Sequence, residues 1–167
     1  MDVDTFRRWY RYERDVHALT LGSLETVPEE RRGDSNFQRC IDLLAHLVAA
    51  RRMWLGRFGV LAETPPELFP LDNSLEHLRR ELEATESTWT AYLERLEPCG
   101  LEAWFEYTAF EGGRFKSRIG DVLTQLFGHS WYHRGQIAQL VRALGGEPAV
   151  TDFVYWSREP QDAGQDE

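Results

Sequence analysis

Two histidines, His129 and His133, lie four residues apart in the segment Gly128-His-Ser-Trp-Tyr-His-Arg-Gly-Gln136. On an α-helix, side chains four positions apart project from the same face, so both imidazoles would point in one direction. Apolar residues lie on or beside that face: Val122, Leu126, Ile137 and Leu140. A buried imidazole needs hydrogen-bond partners or a metal ion, and neutral imidazole is the commonest transition-metal ligand. The spacing alone fits either a metal site or a pair of satisfied core histidines.

A third histidine, His46, lies in Leu43-Leu-Ala-His-Leu-Val48, on the apolar side of another predicted helix. Three histidines from two helices would leave at least one coordination position open, which is typical of a reactive site and not of a structural zinc site. A lone core histidine is the alternative interpretation of His46. Of the two other histidines, His17 could face either way and is a minor ligand candidate, whereas His77 lies among charged residues and is predicted to be solvated.

Several neighbours could support such a site. Arg134 could anchor an anion, although a structural salt bridge is the favoured explanation, and Gln136 could hydrogen-bond a ligand imidazole. Tyr132, Glu13 and Tyr10 are candidate pocket residues. Gly135 stands inside a helix, where glycine costs roughly 1 kcal/mol relative to alanine, so either close approach of another group or plain tolerance explains it. No catalytic residue can be named from the sequence.

Charge and composition restrict the function classes. The 167 residues carry a formal net charge of -9, which disfavours nucleic acid as a partner. We interpret the small basic pairs, including Arg51-Arg52, as solvated helix faces. No apolar run approaches the roughly 20 residues of a membrane span, and the start does not resemble a signal peptide. Cys40 and Cys99 are predicted to be unpaired thiols, so we expect a cytoplasmic protein without membrane association.

Four amphipathic helices are predicted from apolar periodicity and from helix-stop residues, over residues 4–24, 36–58, 74–96 and 119–144. Ser35 with Gln38, and Asn73 with Glu76, have the spacing of helix N-terminal caps. A proline-bearing connection, residues 64–70, is long enough for the chain to cross the bundle. The expected fold class is all-α, a four-helix bundle.

The segment from Trp104 to Ala109 is the one part with strand character, and Glu111 to Arg114 has the composition of a turn. A short hairpin before the last helix and a plain loop are both compatible with this pattern. Val150 to Trp156 is predicted to pack back as a short aromatic tail. Residues 161–167 are expected to form a disordered C-terminal tail, after one domain spanning residues 1–160.

Over residues 4–156 the chain resembles the DinB/YfiT-like superfamily of bacterial metal-binding proteins. The resemblance rests on H-x-x-x-H-R-G-Q at His129–Gln136 and on Leu-x-His-Leu-x-x-Ala at Leu44–Ala50. The ending, with leucine, glycine and proline in Leu140–Pro148 followed by Asp152 and Tyr155, is also similar. The resemblance implies an up-down-down-up bundle with one long crossover, and one divalent transition metal held by His46, His129 and His133. Zinc or nickel is the expected metal, with iron, manganese or copper as further candidates.

The resemblance also implies candidate activities. Characterised members include thiol-S-transferases that use bacillithiol or mycothiol and a mycothiol-dependent maleylpyruvate isomerase, and many members are dimers. We therefore expect a homodimer that acts on a small-molecule substrate, with a low-molecular-weight thiol as the first candidate. A metal-dependent hydrolase or isomerase is the second hypothesis, although no H-E-x-x-H is present. A non-enzymatic metal-binding or interaction protein is the third.

Overall fold

The computed structural model describes residues 1–160 and is predominantly helical. Four long helices are α1 (Val3–Glu25), α2 (Ser35–Arg57), α3 (Leu75–Arg95) and α4 (Ile119–Ala143), and a short helix, α5 (Phe153–Ser157), follows them. Two 3₁₀ turns lie at Glu29–Arg31 and Pro98–Glu102. The four predicted helices are present, and each end lies within one residue of the expected position. Within residues 1–160, no helix is long and apolar enough to cross a membrane.

The residues that cap two helices differ from the prediction. At α2 the side chain of Asp34, not that of Ser35, accepts a hydrogen bond from the first turn, at the amide of Asn36. At α3 the cap is Ser74, whose Oγ accepts from the amide of His77 at 3.1 Å. Since several polar residues precede each helix, the pattern locates a helix start only to within one residue.

A short antiparallel hairpin precedes α4, so of the two predicted alternatives the structure has the hairpin and not the loop. Strands β1 (Trp104–Thr108) and β2 (Arg114–Arg118) pair with Phe105 opposite Ser117. Gly112 in the turn has φ of 91°, a conformation that glycine adopts without steric cost. The aromatic tail also packs back, because Phe153 of α5 meets the ring of Tyr12 edge-on at 5.0 Å.

The interior consists of two hydrophobic clusters with a layer of polar side chains between them. One cluster includes Leu24, Leu44, Leu82 and Ile137, and the other includes Phe6, Leu55, Trp89 and Phe127. Between them each long helix contributes buried polar residues, which we call the polar layer: Glu13, His17, Arg51, Thr85, Ser130 and Arg134. Helices α1 and α4 run from the second cluster to the first, whereas α2 and α3 run the opposite way.

Helix α2 packs against α3 and α4, and α1 packs against the same two helices. Because α2 and α3 run in the same direction, the chain must return along the length of these helices between them. Residues 58–74 make this connection, which we call the crossover. The crossover brings Leu68 and Phe69 against α2 at His46.

Candidate metal centre

The structure brings His46 of α2 together with His129 and His133 of α4. One ligand atom from each histidine lies within 4.8 Å of the others. The Nε2 atom of His129 is 3.0 Å from Nε2 of His46 and 3.0 Å from Nε2 of His133. The three rings are close to perpendicular to one another, at 77° to 87°. The three residues predicted from spacing and resemblance therefore form one cluster.

Hydrogen bonds on the far side of two rings determine which nitrogen faces the cluster. The Nδ1–H group of His46 donates to the carbonyl oxygen of Leu68 at 2.6 Å, and that of His133 donates to Oε1 of Gln136 at 2.8 Å. A carbonyl oxygen only accepts, so Nδ1 carries the proton and Nε2 presents a lone pair. Metal-bound histidines are oriented in this way by their second nitrogen. Gln136 is therefore a hydrogen-bond partner of His133, and its role in supporting a metal ligand stays a prediction.

The donor set fits a transition-metal ion. A proton on Nε2 of His129 can satisfy only one of its two 3.0 Å contacts, whereas a cation among the three lone pairs satisfies both. Two nitrogens at about 2.1 Å from one ion and about 90° apart lie about 3.0 Å from each other. The observed separations therefore match adjacent ligands of one ion.

Burial favours the uncharged form of the imidazoles. Desolvation lowers the pKa of His46, whose side chain is buried. Desolvation also lowers the pKa of His129 to about 4, with further lowering by His133 and His46. Neutral imidazole is the form that binds metal, so His46 and His129 are ready for ligation near neutral pH without first losing a proton.

Two aromatic side chains flank the cluster. The ring of Phe69 stacks on His46 with centroids 4.2 Å apart, and Tyr132 meets His133 edge-on at 5.0 Å. Tyr132 was a predicted pocket residue, and it is exposed beside the cluster. Sequence reasoning missed Leu68 and Phe69. No pattern in the neighbouring sequence identifies them, because their contact with His46 depends on the path of the crossover through the fold.

The other two histidines lie outside the cluster. His17 is buried in the polar layer, where its ring contacts Glu86 at 3.0 Å and Glu13 at 3.5 Å. Its minor candidacy as a ligand is therefore not supported by its position. His77 is exposed at the start of α3, as its charged neighbours predicted.

Glu13, a predicted pocket residue, is instead fully buried in an ion-pair network. Its carboxylate lies 2.5 Å from Nη2 of Arg51 and 3.5 Å from Nη1 of Arg134. The salt-bridge explanation of Arg134 therefore agrees with the structure. The interpretation of Arg51 as solvated is wrong, because only 3% of its side chain is exposed. Burial alone would raise the pKa of Glu13, but Arg51, with His17 and Arg134, holds it well below its ordinary value.

Tyr10, the remaining pocket candidate, is also buried and packs between the ring of Trp89, at 6.2 Å, and the guanidinium of Arg51, at 5.3 Å. A cavity of about 300 Å³ lies between α2, α3 and the crossover, and Ala49 and Pro70 are among its lining residues. None of the three clustered histidines lines it.

Comparisons with known proteins give one match. The model of a protein family described as the DinB family matches residues 1–164. Neither the curated proteins nor the solved structures contain a significant match.

Proposed function

We propose that this chain, which belongs to the DinB family, binds one divalent transition metal through His46, His129 and His133. Membership confirms the resemblance seen in the sequence motifs. The observation that carries the metal assignment is the convergence of three Nε2 lone pairs, two of them oriented by hydrogen bonds at Nδ1. Zinc and nickel are the metals we expect, since imidazole suits both.

We propose the up-down-down-up four-helix bundle as the architecture of a single domain over residues 1–160. Two observations support it. Helices α1 and α4 run from the second hydrophobic cluster to the first and α2 and α3 run the opposite way, and the long crossover lies between α2 and α3, the two consecutive helices that run in the same direction. The predicted disordered tail, residues 161–167, lies outside the described residues. We expect a homodimer because many members of the family are dimers. We expect a cytoplasmic location because both cysteines are unpaired.

For the activity we propose thiol-S-transfer with a low-molecular-weight thiol of the bacillithiol or mycothiol type. A bound metal ion ionises a coordinating thiol outright. The chain's own contribution is to hold three neutral imidazoles on one side, which leaves the remaining positions to small molecules. The thiolate sulfur would form a bond to an electrophilic carbon, a leaving group such as chloride would depart, and the thiol proton would pass to solvent.

Hydrolysis is the less favoured alternative, because a metal-dependent hydrolase normally has a carboxylate base near the ion. The carboxylate of Glu13 is occupied by Arg51 and Arg134 and is fully buried. Isomerisation assisted by a bound thiol would use the same open positions, and a non-enzymatic metal-binding protein would need no substrate. Product analysis distinguishes these alternatives.

Elemental analysis tests metal binding directly, on protein purified without chelator and without nickel affinity. We expect about one equivalent of metal in the wild type after reconstitution, and loss of it in His129→Ala, which removes one of three protein ligands. His77→Ala is the matched control, since His77 is an exposed histidine of α3, and it should retain the metal. Metal below about 0.2 equivalents in reconstituted wild-type protein would overturn the assignment.

The transferase proposal needs a separate assay. Metal-loaded protein is incubated with bacillithiol, mycothiol or glutathione and with a chlorinated aromatic electrophile, and the conjugate is quantified by mass spectrometry. We expect metal-dependent conjugation with at least one thiol, and none with His129→Ala. A protein that binds metal but forms no conjugate with any of these thiols would contradict thiol transfer while leaving metal binding intact.

A further inference from the structure

The border of the three-histidine cluster carries two large aromatic side chains that remain exposed. Phe69 is 65% exposed although its ring stacks on His46 with an interplanar angle of 6°. Tyr132 is 64% exposed although its ring contacts His133. Each ring therefore contacts a histidine of the cluster and still has more than half of its side-chain surface exposed.

The two rings come from different parts of the fold. Phe69 belongs to the crossover and borders the cluster on its α2 side, whereas Tyr132 belongs to α4 and borders it beside His133. His129 lies between, because its Nε2 contacts the other two histidines. One aromatic ring therefore borders the cluster at His46, and a second borders it at His133.

Orientation of the ligand histidines does not account for both rings. The carbonyl of Leu68 already orients His46, and Gln136 already orients His133. Within the described residues, the side chains in ring or hydrogen-bond contact with the three imidazoles are aromatic or uncharged. Exposed aromatic surface is unfavourable in water, and burial of it by a ligand is a source of affinity.

We propose that Phe69 and Tyr132 are specificity-determining residues that select, as the molecule held beside the metal-bound thiol, one with an aromatic or other flat apolar group. The inference rests on the proposed metal binding, and it names the class of small molecule that the open positions prefer. An electrophile or an adduct with a ring would gain affinity from contact with Phe69 or Tyr132. A small or strongly charged molecule would gain no affinity from either side chain.

Two probes with the same metal-binding head test this preference. Benzohydroxamic acid and acetohydroxamic acid differ by a phenyl group in place of a methyl group, and their affinities for the metal-loaded protein are measured by calorimetry. Stacking on one or two rings predicts about tenfold tighter binding of the phenyl probe, which corresponds to about 1.4 kcal/mol.

The variants separate specificity from orientation. Phe69→Ala and Tyr132→Ala should each reduce the ratio of the two affinities by about threefold and leave the methyl probe unchanged. Leu71→Ala is the matched control, because Leu71 is an exposed apolar residue of the crossover, 71% exposed, and the ratio should not change. Metal content is measured for every variant first.

Three outcomes would overturn the inference. Equal affinities of the two probes for the wild type would contradict the aromatic preference and leave the metal site intact. Variants that lose metal, or that weaken both probes equally, would show that the rings only orient His46 and His133. A wild type that binds no metal would refute the proposed function itself, and this inference with it.

Discussion

Replacing Glu13 with glutamine tests the polar layer that separates the two hydrophobic clusters. The substitution keeps the shape of the side chain and one acceptor oxygen, but it removes the negative charge. Arg51 and Arg134 are only 3% and 2% exposed. In the variant, both guanidinium groups would remain buried without the negative charge of Glu13. Because neither guanidinium can lose its proton, the protein cannot relieve the imbalance by neutralising them.

The expected loss follows from the geometry. Removal of one partner of a buried ion pair costs about 3–5 kcal/mol, since the other charge remains in a medium that solvates it poorly. The Glu13 carboxylate pairs with two guanidinium groups. We therefore expect the free energy of unfolding to decrease by about 4–5 kcal/mol, near the upper end of this range. Domains of this size are stable by about 5–15 kcal/mol, so the variant should still fold but with little reserve.

The pH dependence has a definite sign. The folded-state pKa of Glu13 lies below its unfolded value, because Arg51, His17 and Arg134 outweigh the effect of burial. Such a group stabilises the folded state above its unfolded pKa of about 4.3, and this contribution is lost as the pH falls through that value towards the folded pKa. Glutamine does not titrate, so the stability difference between wild type and variant should shrink on acidification.

Urea unfolding followed by tryptophan fluorescence measures both effects, at about pH 7 and at about pH 3.5. Glu76→Gln is the matched control, since Glu76 pairs with Arg80 on the surface and its side chain is 83% exposed. It should change the free energy of unfolding by no more than about 0.5 kcal/mol. If Glu13→Gln behaved like this control, or if its deficit were the same at both pH values, our account of the polar layer would be refuted.

Three further outcomes are expected. At pH 8 a disulfide thiol reagent should label the exposed Cys99 rapidly and Cys40 only after denaturation, because burial raises the pKa of the Cys40 thiol to about 12; two fast-reacting thiols would contradict this. Ser74→Ala should cost about 1 kcal/mol in chemical denaturation through loss of the α3 cap, whereas Ser35→Ala should have little effect; equal losses would mean that Ser35 caps α2 after all. Gly135→Ala should raise the free energy of unfolding by about 0.5–1 kcal/mol, since a methyl group there would meet no atom within 4 Å; a decrease in a melting experiment would instead indicate that the glycine has a special role.

The polar layer joins α1, α2 and α4 through buried charges. The contacts of the Glu13 carboxylate with Arg51 and Arg134 fit one relative register of these three helices. A buried polar group that specifies register at a cost in stability is known in helical assemblies. Since His129 and His133 lie on α4 beside this layer, the same register positions them opposite His46.

The periodicity of the four helices follows from the amino-acid sequence alone. So do the two histidine motifs and, to within one residue, the positions of the helix caps. The spacing of His129 and His133 places both on one face because successive residues of a helix turn by a constant angle. The predicted helices and family membership agree with this local information. The place of His46 in the cluster required two separate helices; its position on the apolar side of the second predicted helix suggested it, and the resemblance also implied it.

Tertiary structure decided what depends on partners distant in the chain. Arg51 and Arg52 are neighbours in the sequence, yet Arg51 is buried against Glu13 and Arg52 pairs at the surface with Glu81. No local pattern separates them, because α2 is buried over a broad face and each arginine is paired by a residue of another helix. In the same way, Phe69 reaches His46 because the crossover must return along the helices that it connects. The sequence by itself determined which residues could form a metal site, and the packing of helices decided which residues surround it, since burial and charge pairing are properties of the folded chain.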